Sequence, residues 1–235
     1  MYLQQGRAHN EAMMMKPSPD IELYSYFRSS SSYRVRIALH LKALEYHYIP
    51  VHLLKEGGQQ HQKSFRDLNP LGEVPCLRHG PLVLSQSMAI LNYLDSLAPE
   101  PPLFPHAASK RAQVVQACEM VNSGIQPLQN LGVMQKLAQD FGASEEQKQS
   151  WSRHWIQRGL RSLEVFLRPM AGIYCFGDEV TAADLYLIPQ LYNARRFSVE
   201  PRDYPLLAKI EESCLQIEAF QKAAPGQQPD TPAER

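Results

Sequence analysis

A chain of 235 residues has room for one large domain or two small ones at about 150 residues each, and 44% hydrophobic with 20% charged residues is enough to bury a substantial core. Lys plus Arg number 24 and Asp plus Glu number 24, so no global field draws the molecule onto nucleic acid or an anionic membrane, and any charged ligand must be held by local groups. No stretch reaches the roughly 18 apolar residues of a membrane span, the start lacks a signal-peptide core, and no short-spaced cysteine or histidine motif is present; the expectation is a cytosolic chain, without a metal, whose Cys76, Cys118, Cys175 and Cys214 stay reduced.

In chain order, residues 1–20 are polar and aperiodic and read as a tail, with Met13 to Met15 pointing to a natural start at Met15. Ile21 to Phe27, rich in aromatic and β-branched residues, predicts a buried strand. From Ser31 the stretch SSYRVRIALHLKAL places Val35, Ala38 and Leu39 on one helical face with Ile37, Leu41 and Leu44 beside it. Glu45 to Val51 predicts a second strand, Gly57-Gly58 ends the connection, and a short helical piece follows near Gln62 to Leu68. Val74 to Leu77 and Leu82 to Leu84, separated by His79-Gly80-Pro81, form a hairpin signal. Pro75 cannot donate to a ladder and belongs at a strand's start or edge, in the cis form where the turn is tight. A helix from Gln86 to Ala98 completes a β-α-β-α-β-β-α unit over 21–98.

Four prolines in Pro99 to Pro105 break any helix that reaches them, which sets a linker at 99–108. Everything after is helical in period: Ser109 to Gly124, a second rod after the break at Gly124 to Pro127 running to about Phe141, and Ser144 to Leu167. Ser144 with Gln147 and Thr181 with Asp184 have capping-box spacing, and Pro205 suits the first turn of a last helix. The fold class is therefore α/β followed by an all-α unit over 109–222, with a loosely held tail over 223–235.

The chemistry points to two helix starts. Backbone N–H groups there lack intrahelical partners and carry partial positive charge, so the Ser29 to Ser32 turn stabilises an anion, and hydroxyls add donors. A thiolate is favoured in such a place, but no cysteine stands there, so a thiol site must draw its sulfur from a ligand. Gln86-Ser87 opens the helix after the hairpin and offers hydroxyl and amide groups to a carboxylate; Val74, ahead of Pro75, offers its backbone to an extended peptide. Together these suit a small anionic peptide carrying a thiol. The plain alternative is that the serines only cap their helices.

Segments YSYFRSSSSYRVRIAL, LNPLGEVPCL, QSMAILNYLD, GIQPLQNLGV, GDEVTAADLYLIPQ and EAFQKAAPGQQPDTP resemble the zeta class of glutathione transferases from about Ile21 onward. The resemblance implies a thioredoxin-like N-terminal domain, an all-helical C-terminal domain, a homodimer, and glutathione as cosubstrate. It implies glutathione binding by Ser29, Ser30, Ser31, Ser32, Tyr33 and Arg34 around the first helix start, by Gln60, by the backbone of Val74, and by Gln86 with Ser87 at the γ-glutamyl carboxylate. Gln126, Asn130, Leu131 and Gly132 would reach across from the helical domain. Ser29, Ser30 and Ser31 are the catalytic candidates, and Arg28 and Arg196 the candidates for an acidic substrate's carboxylate.

The implied activity is glutathione-dependent isomerisation of maleylacetoacetate, with transferase or haloacid side activity. Maleylpyruvate isomerisation is the nearest alternative, and Leu131 with Gly132, where an arginine pair would mark it, leans toward the longer acid. A non-catalytic binding module is the alternative of another class. The chain departs from animal members of the class at Ser31, where they carry cysteine, at Tyr33, where they carry tryptophan, and at Gly132, where they carry serine. The first departure leaves glutathione as the only sulfur for the reaction.

Overall fold

The computed structural model describes residues 20–232, so most of the expected N-terminal tail and the start at Met15 lie outside the described residues. Strand β1 (Ile21–Ser25) is central. It pairs in parallel with β2 (His47–Pro50) and antiparallel with β3 (Cys76–His79), which pairs antiparallel with β4 (Leu82–Ser85), giving the order β2-β1-β3-β4. Ile21, Leu23 and Ser25 point inward and alternate with half-buried Glu22 and Tyr24, the period-two pattern of a strand. The ladder of β3 starts at Cys76, directly after the cis Val74–Pro75 bond, because a proline has no N–H to give it.

Helices α1 (Ser30–Leu41), α2 (Lys63–Arg66) and α3 (Ser87–Leu97) complete this module in the expected order, and α4 (Ala108–Asn122), α5 (Leu131–Phe141), α6 (Glu145–Leu167), α7 (Ala182–Arg196), α8 (Pro205–Cys214) and α9 (Glu218–Ala223) follow. Among the described residues, no helix is long and apolar enough to cross a membrane. The Ser144–Gln147 capping box starts α6, with Gln147 N donating to Ser144 Oγ at 3.2 Å and Ser144 N to Gln147 Oε1 at 2.8 Å.

Helix α1 packs against α3, α7 and α9, and Ser32 through Leu39 are all buried. A helix covered on every side is normally apolar all round. Here Tyr33, Arg34 and Arg36 interrupt that pattern, and each polar head finds partners inside. Arg36 donates from Nε to Ala223 O (2.9 Å) and from Nη2 to Phe27 O (3.0 Å). The apolar core runs without a break from Leu23, Ile37 and Leu77 to Leu160, Leu187 and Phe220, so the sheet module and the helices share one interior.

One connection is fastened in place and two differ from expectation. In the proline-rich linker the buried Lys42 ammonium bridges Asp95 Oδ1 (2.7 Å) and Pro101 O (2.6 Å), Leu103 N donates to Asp95 Oδ1 (2.8 Å), and Leu103 and Phe104 are buried. The rod expected after the break at Gly124 to Pro127 begins later, at Leu131: a 3₁₀ turn Gln126–Gln129 comes first, and Asn130 takes extended backbone and caps α5 by accepting from Gly132 N at 3.3 Å. Gly159 on α6 is what lets that turn dock: a Cβ there would lie 2.2 Å from Ile125 Cγ1. Finally, the segment from Ala223 to Pro232 is not a loose tail. Ala223 is buried at the end of α9, Pro225–Gln227 form a 3₁₀ turn, and Asp230 is bonded to the sheet module. The run of Pro, Gly and Gln had suggested disorder, but local composition carries no information about a partner some 200 residues upstream.

Candidate active site

A cavity of about 520 Å³ opens between the sheet module and the helices. Its floor on one side is the loop from β1 into α1. Ser29 is the N-cap of α1, with φ −68° and ψ 118°, and its Oγ accepts from Ser32 N at 3.2 Å. Capping and anion binding are therefore compatible: the hydroxyl oxygen is occupied as an acceptor, which leaves its proton to be donated into the cavity. Ser30 and Ser31 line the same wall, half-buried, and Arg28 stands just before them.

Ser32, Tyr33 and Arg34 do not reach the cavity wall, which corrects the expectation that the whole run surrounds the ligand. A helix turns about 100° per residue, so a contiguous stretch cannot face one way. Ser32 is fully buried, and Tyr33 points at α9, its hydroxyl donating to Phe220 O at 3.2 Å. Arg34 lies behind the wall, donating from Nη1 to Ser87 Oγ (3.0 Å) and Asn122 Oδ1 (2.8 Å) with its guanidinium 4.0 Å from the Tyr186 ring centre. Burial pulls the Arg34 pKa down, yet a guanidinium remains charged, so its field favours an anion at Ser87.

Gln86 and Ser87 meet the cavity at the start of α3. Gln86 has φ +71°, a left-handed conformation that costs a non-glycine residue on the order of 1 kcal/mol and recurs at functional sites. Ser87 is buried, with Tyr186 Oη 3.2 Å from its Oγ. Gln60 lines the wall beside them, its Nε2 donating to Leu53 O at 3.2 Å while its buried Oε1 has no partner among the described residues. Gly58 makes room for it: φ is +98°, and a Cβ would sit 2.5 Å from Gln60 Nε2. Val74 also lines the cavity, and among the described residues its N–H and C=O have no hydrogen-bond partner.

The opposite wall holds Gln126, Asn130, Leu131 and Gly132, together with Arg196 from the end of α7. Arg196 donates from Nη1 to Asn193 Oδ1 at 2.7 Å. Withdrawal from water, and then the like charge of Arg28, pull the Arg196 pKa down. Among the described residues neither arginine has a carboxylate within ion-pair distance, although Glu73 also lines the cavity. Asn193, Tyr26 and Asn122 also line it and were absent from the sequence-derived candidates. Asn193 was within reach of that reasoning, since it precedes Arg196 by three residues and so shares its helical face.

The four cysteines are buried, and burial pushes each thiol upward, Cys76 to about 11. None lines the cavity. Raised pKa values keep them protonated through neutral pH, and the thiolate is the reactive form. The folded protein is expected to consume almost no aromatic disulfide reagent at pH 8, against four equivalents in denaturant; rapid reaction of any one thiol in the native state would contradict this burial.

Comparison with known proteins agrees with the geometry. Residues 19–96 match the family model described as glutathione S-transferase, N-terminal domain. The maleylacetoacetate isomerase of Rattus norvegicus is 47% identical over 212 residues, spanning 90% of this chain and 95% of the rat protein. A maleylacetoacetate isomerase from Anaeromyxobacter dehalogenans, solved with glutathione in the active site, superposes with a TM-score of 0.80 at 44% identity, covering 90% of this chain and 98% of that one. The holo structure of a bacterial zeta-class maleyl pyruvate isomerase gives a TM-score of 0.86 at 40% identity over 90% of this chain and all of the other. With the expected sheet, the helical half and the two anion-ready helix starts all in place, these similarities make the chain a member of the zeta class of glutathione transferases, the family of the maleylacetoacetate isomerases.

Proposed function

We propose that this enzyme catalyses the glutathione-dependent cis–trans isomerisation of maleylacetoacetate to fumarylacetoacetate. The observation that carries the proposal is the convergence on one cavity of the α1 start with its Ser29 hydroxyl, the α3 start with Ser87, and the two arginines Arg28 and Arg196. A second reading, maleylpyruvate as the main substrate, is tested alongside it.

The residues fit the tripeptide. Among the described residues the N–H and C=O of Val74 are unpaired, the backbone complement of an extended peptide. Gln86 and Ser87 sit at a helix N-terminus, where a carboxylate is stabilised, and Arg34 adds positive charge from behind. A carboxylate there would order the polar chain, with Tyr186 donating to Ser87 Oγ and Ser87 donating to the ligand. Gln60 brings a buried carbonyl oxygen that has no partner among the described residues, and Gln126, Asn130, Leu131 and Gly132 close the far side.

When bound, glutathione supplies a thiolate that adds to the cis alkene, permits rotation about the resulting single bond, and departs to leave the trans product. The protein's part is electrostatic. Ser29 donates a hydrogen bond toward the sulfur, and the first-turn amides of α1, with Ser30 and Ser31, add their dipoles; both favour the charged form. Arg28 and Arg196 bind the substrate carboxylate and steady negative charge that develops on its conjugated carbonyl. Asn193 holds the Arg196 guanidinium in place.

A homodimer is the assembly the family resemblance supports, and sedimentation measures it directly. A cytosolic setting suits an enzyme whose four thiols are free and whose cosubstrate is abundant and reduced there. The test is a spectrophotometric assay on maleylacetoacetate and maleylpyruvate, each with and without glutathione. Thiol-dependent turnover, faster on the longer acid, is the expected result. Turnover only on maleylpyruvate replaces the substrate, and glutathione-independent turnover or none on either acid overturns the proposal.

A further inference from the structure

We propose that Asp230, in the C-terminal segment, is a positioning residue for the thiolate site, fixing the turn from which Arg28 and Ser29 reach the cavity; the inference rests on the function proposed above. Its carboxylate accepts from Phe27 N through Oδ2 at 2.9 Å and from Tyr48 Oη through Oδ1 at 2.6 Å. The opposite edge of the same peptide segment is held by Arg36, a fully buried residue of α1, whose Nη2 donates to Phe27 O at 3.0 Å and whose Nη1 lies 3.2 Å from Ser25 Oγ and 3.4 Å from Tyr26 O. Phe27 is thus gripped at its N–H by a carboxylate and at its C=O by a guanidinium. Two residues later comes Ser29, whose own N–H donates to Tyr26 O at 2.9 Å.

The grip is a built feature, because the segment carrying Asp230 is itself anchored. Arg36 Nε donates to Ala223 O, and buried Gln228 donates from Nε2 to Lys222 O and Ala224 O, each at 2.9 Å. Asp230 does not line the cavity, so its effect on the reaction runs through the loop. Displacement of a reacting group by about 1 Å costs on the order of 10²-fold in rate, and charge-assisted hydrogen bonds are the ones best able to prevent it. Val74 precedes β3 and Gln86 with Ser87 open α3, so binding of the tripeptide backbone does not depend on this grip.

The test compares wild type, D230A, D230N and Y48F as full-length protein. In D230A three changes are expected together: faster amide hydrogen exchange in the peptide covering Tyr26 to Arg28 of the ligand-free enzyme, a rise of about one unit in the pKa of bound glutathione by ultraviolet difference absorbance, and a fall in kcat of about tenfold or more with KM for glutathione changed less than threefold. Y48F, which keeps the bond to Phe27, should lie close to wild type in exchange and thiol acidity. D230N retains one acceptor and should fall between, and it carries the same test if D230A does not fold. Unchanged exchange at Phe27, or an unchanged thiol pKa with wild-type kcat, overturns the inference whatever happens to the melting temperature. A wild type with neither an acidified thiol nor isomerase activity overturns the proposed function instead, and the exchange measurement on free protein still decides whether Asp230 holds the loop.

Discussion

Ser29→Ala is expected to lower isomerase turnover at pH 7 by about 10²-fold, since single donors to developing or resident anions are commonly worth that much. Thiols at helix N-termini have pKa values of about 3.5–7.5 against about 8.5 when free, and the Ser29 hydroxyl at the α1 N-cap, which accepts from Ser32 N, keeps its proton free to donate to the sulfur. Without it, the bound sulfur moves back toward its free value and the thiolate fraction at neutral pH drops. The sign is definite: a higher pKa shifts the acid limb of the pH–rate profile upward, so the variant should recover part of its rate near pH 9 while wild type has already levelled off. Loss of the bond from Ser32 N also removes a helix cap, worth about 1 kcal/mol of stability. Turnover unchanged from wild type, with the profile unmoved, would transfer the thiolate role to Ser30 or Ser31.

Asp184→Ala should produce the largest loss of stability, about 3–5 kcal/mol. Asp184 is fully buried, accepting from Cys175 N (2.8 Å), Thr181 N (2.8 Å) and Thr181 Oγ1 (3.1 Å). Truncation strands two buried amides and a hydroxyl at once, at the head of the helix that packs on α1, α4 and α8. With about 2–4 °C per kcal/mol at this chain length, the melting temperature should fall by about 10 °C. Thr181→Ala removes only the hydroxyl and should cost about 1 kcal/mol. Urea titrations of both variants check the ranking, and an Asp184→Ala protein as stable as Thr181→Ala would refute it.

Much of this was legible in the chain itself, for identifiable reasons. Ile21 to Ser25 and Cys76 to His79 lie in short runs bounded by turn residues, and the caps at Ser29, Ser144 and Thr181 act within four residues of themselves. Such signals are local. The proposed thiolate site follows from helix starts, where backbone chemistry is set by secondary structure alone. Tyr33 and Arg34 were misplaced because a family motif is contiguous and a helix face is not. Asp230 was invisible because its partners Phe27 and Tyr48 are 203 and 182 positions away, and nothing in a short polar stretch announces such a pairing. The start of α5 at Leu131 is not announced by the break at Gly124 to Pro127, because it is set by the Asn130 side chain accepting from Gly132 N.

The enclosure of α1 bears on how the two halves of the molecule can be exchanged. Its outer flank carries Tyr33 and Arg36, which terminate on carbonyls of Phe220 and Ala223, while Arg34 ends on Asn122. A chimaera that grafted Ile21 to Leu97 onto a foreign helical half would carry Phe27 O and Ser87 Oγ with it, but would leave Arg36 Nε without Ala223 O and Arg34 Nη1 without Asn122 Oδ1. Modular swapping should therefore cost least stability when the receiving half brings those two acceptors with it.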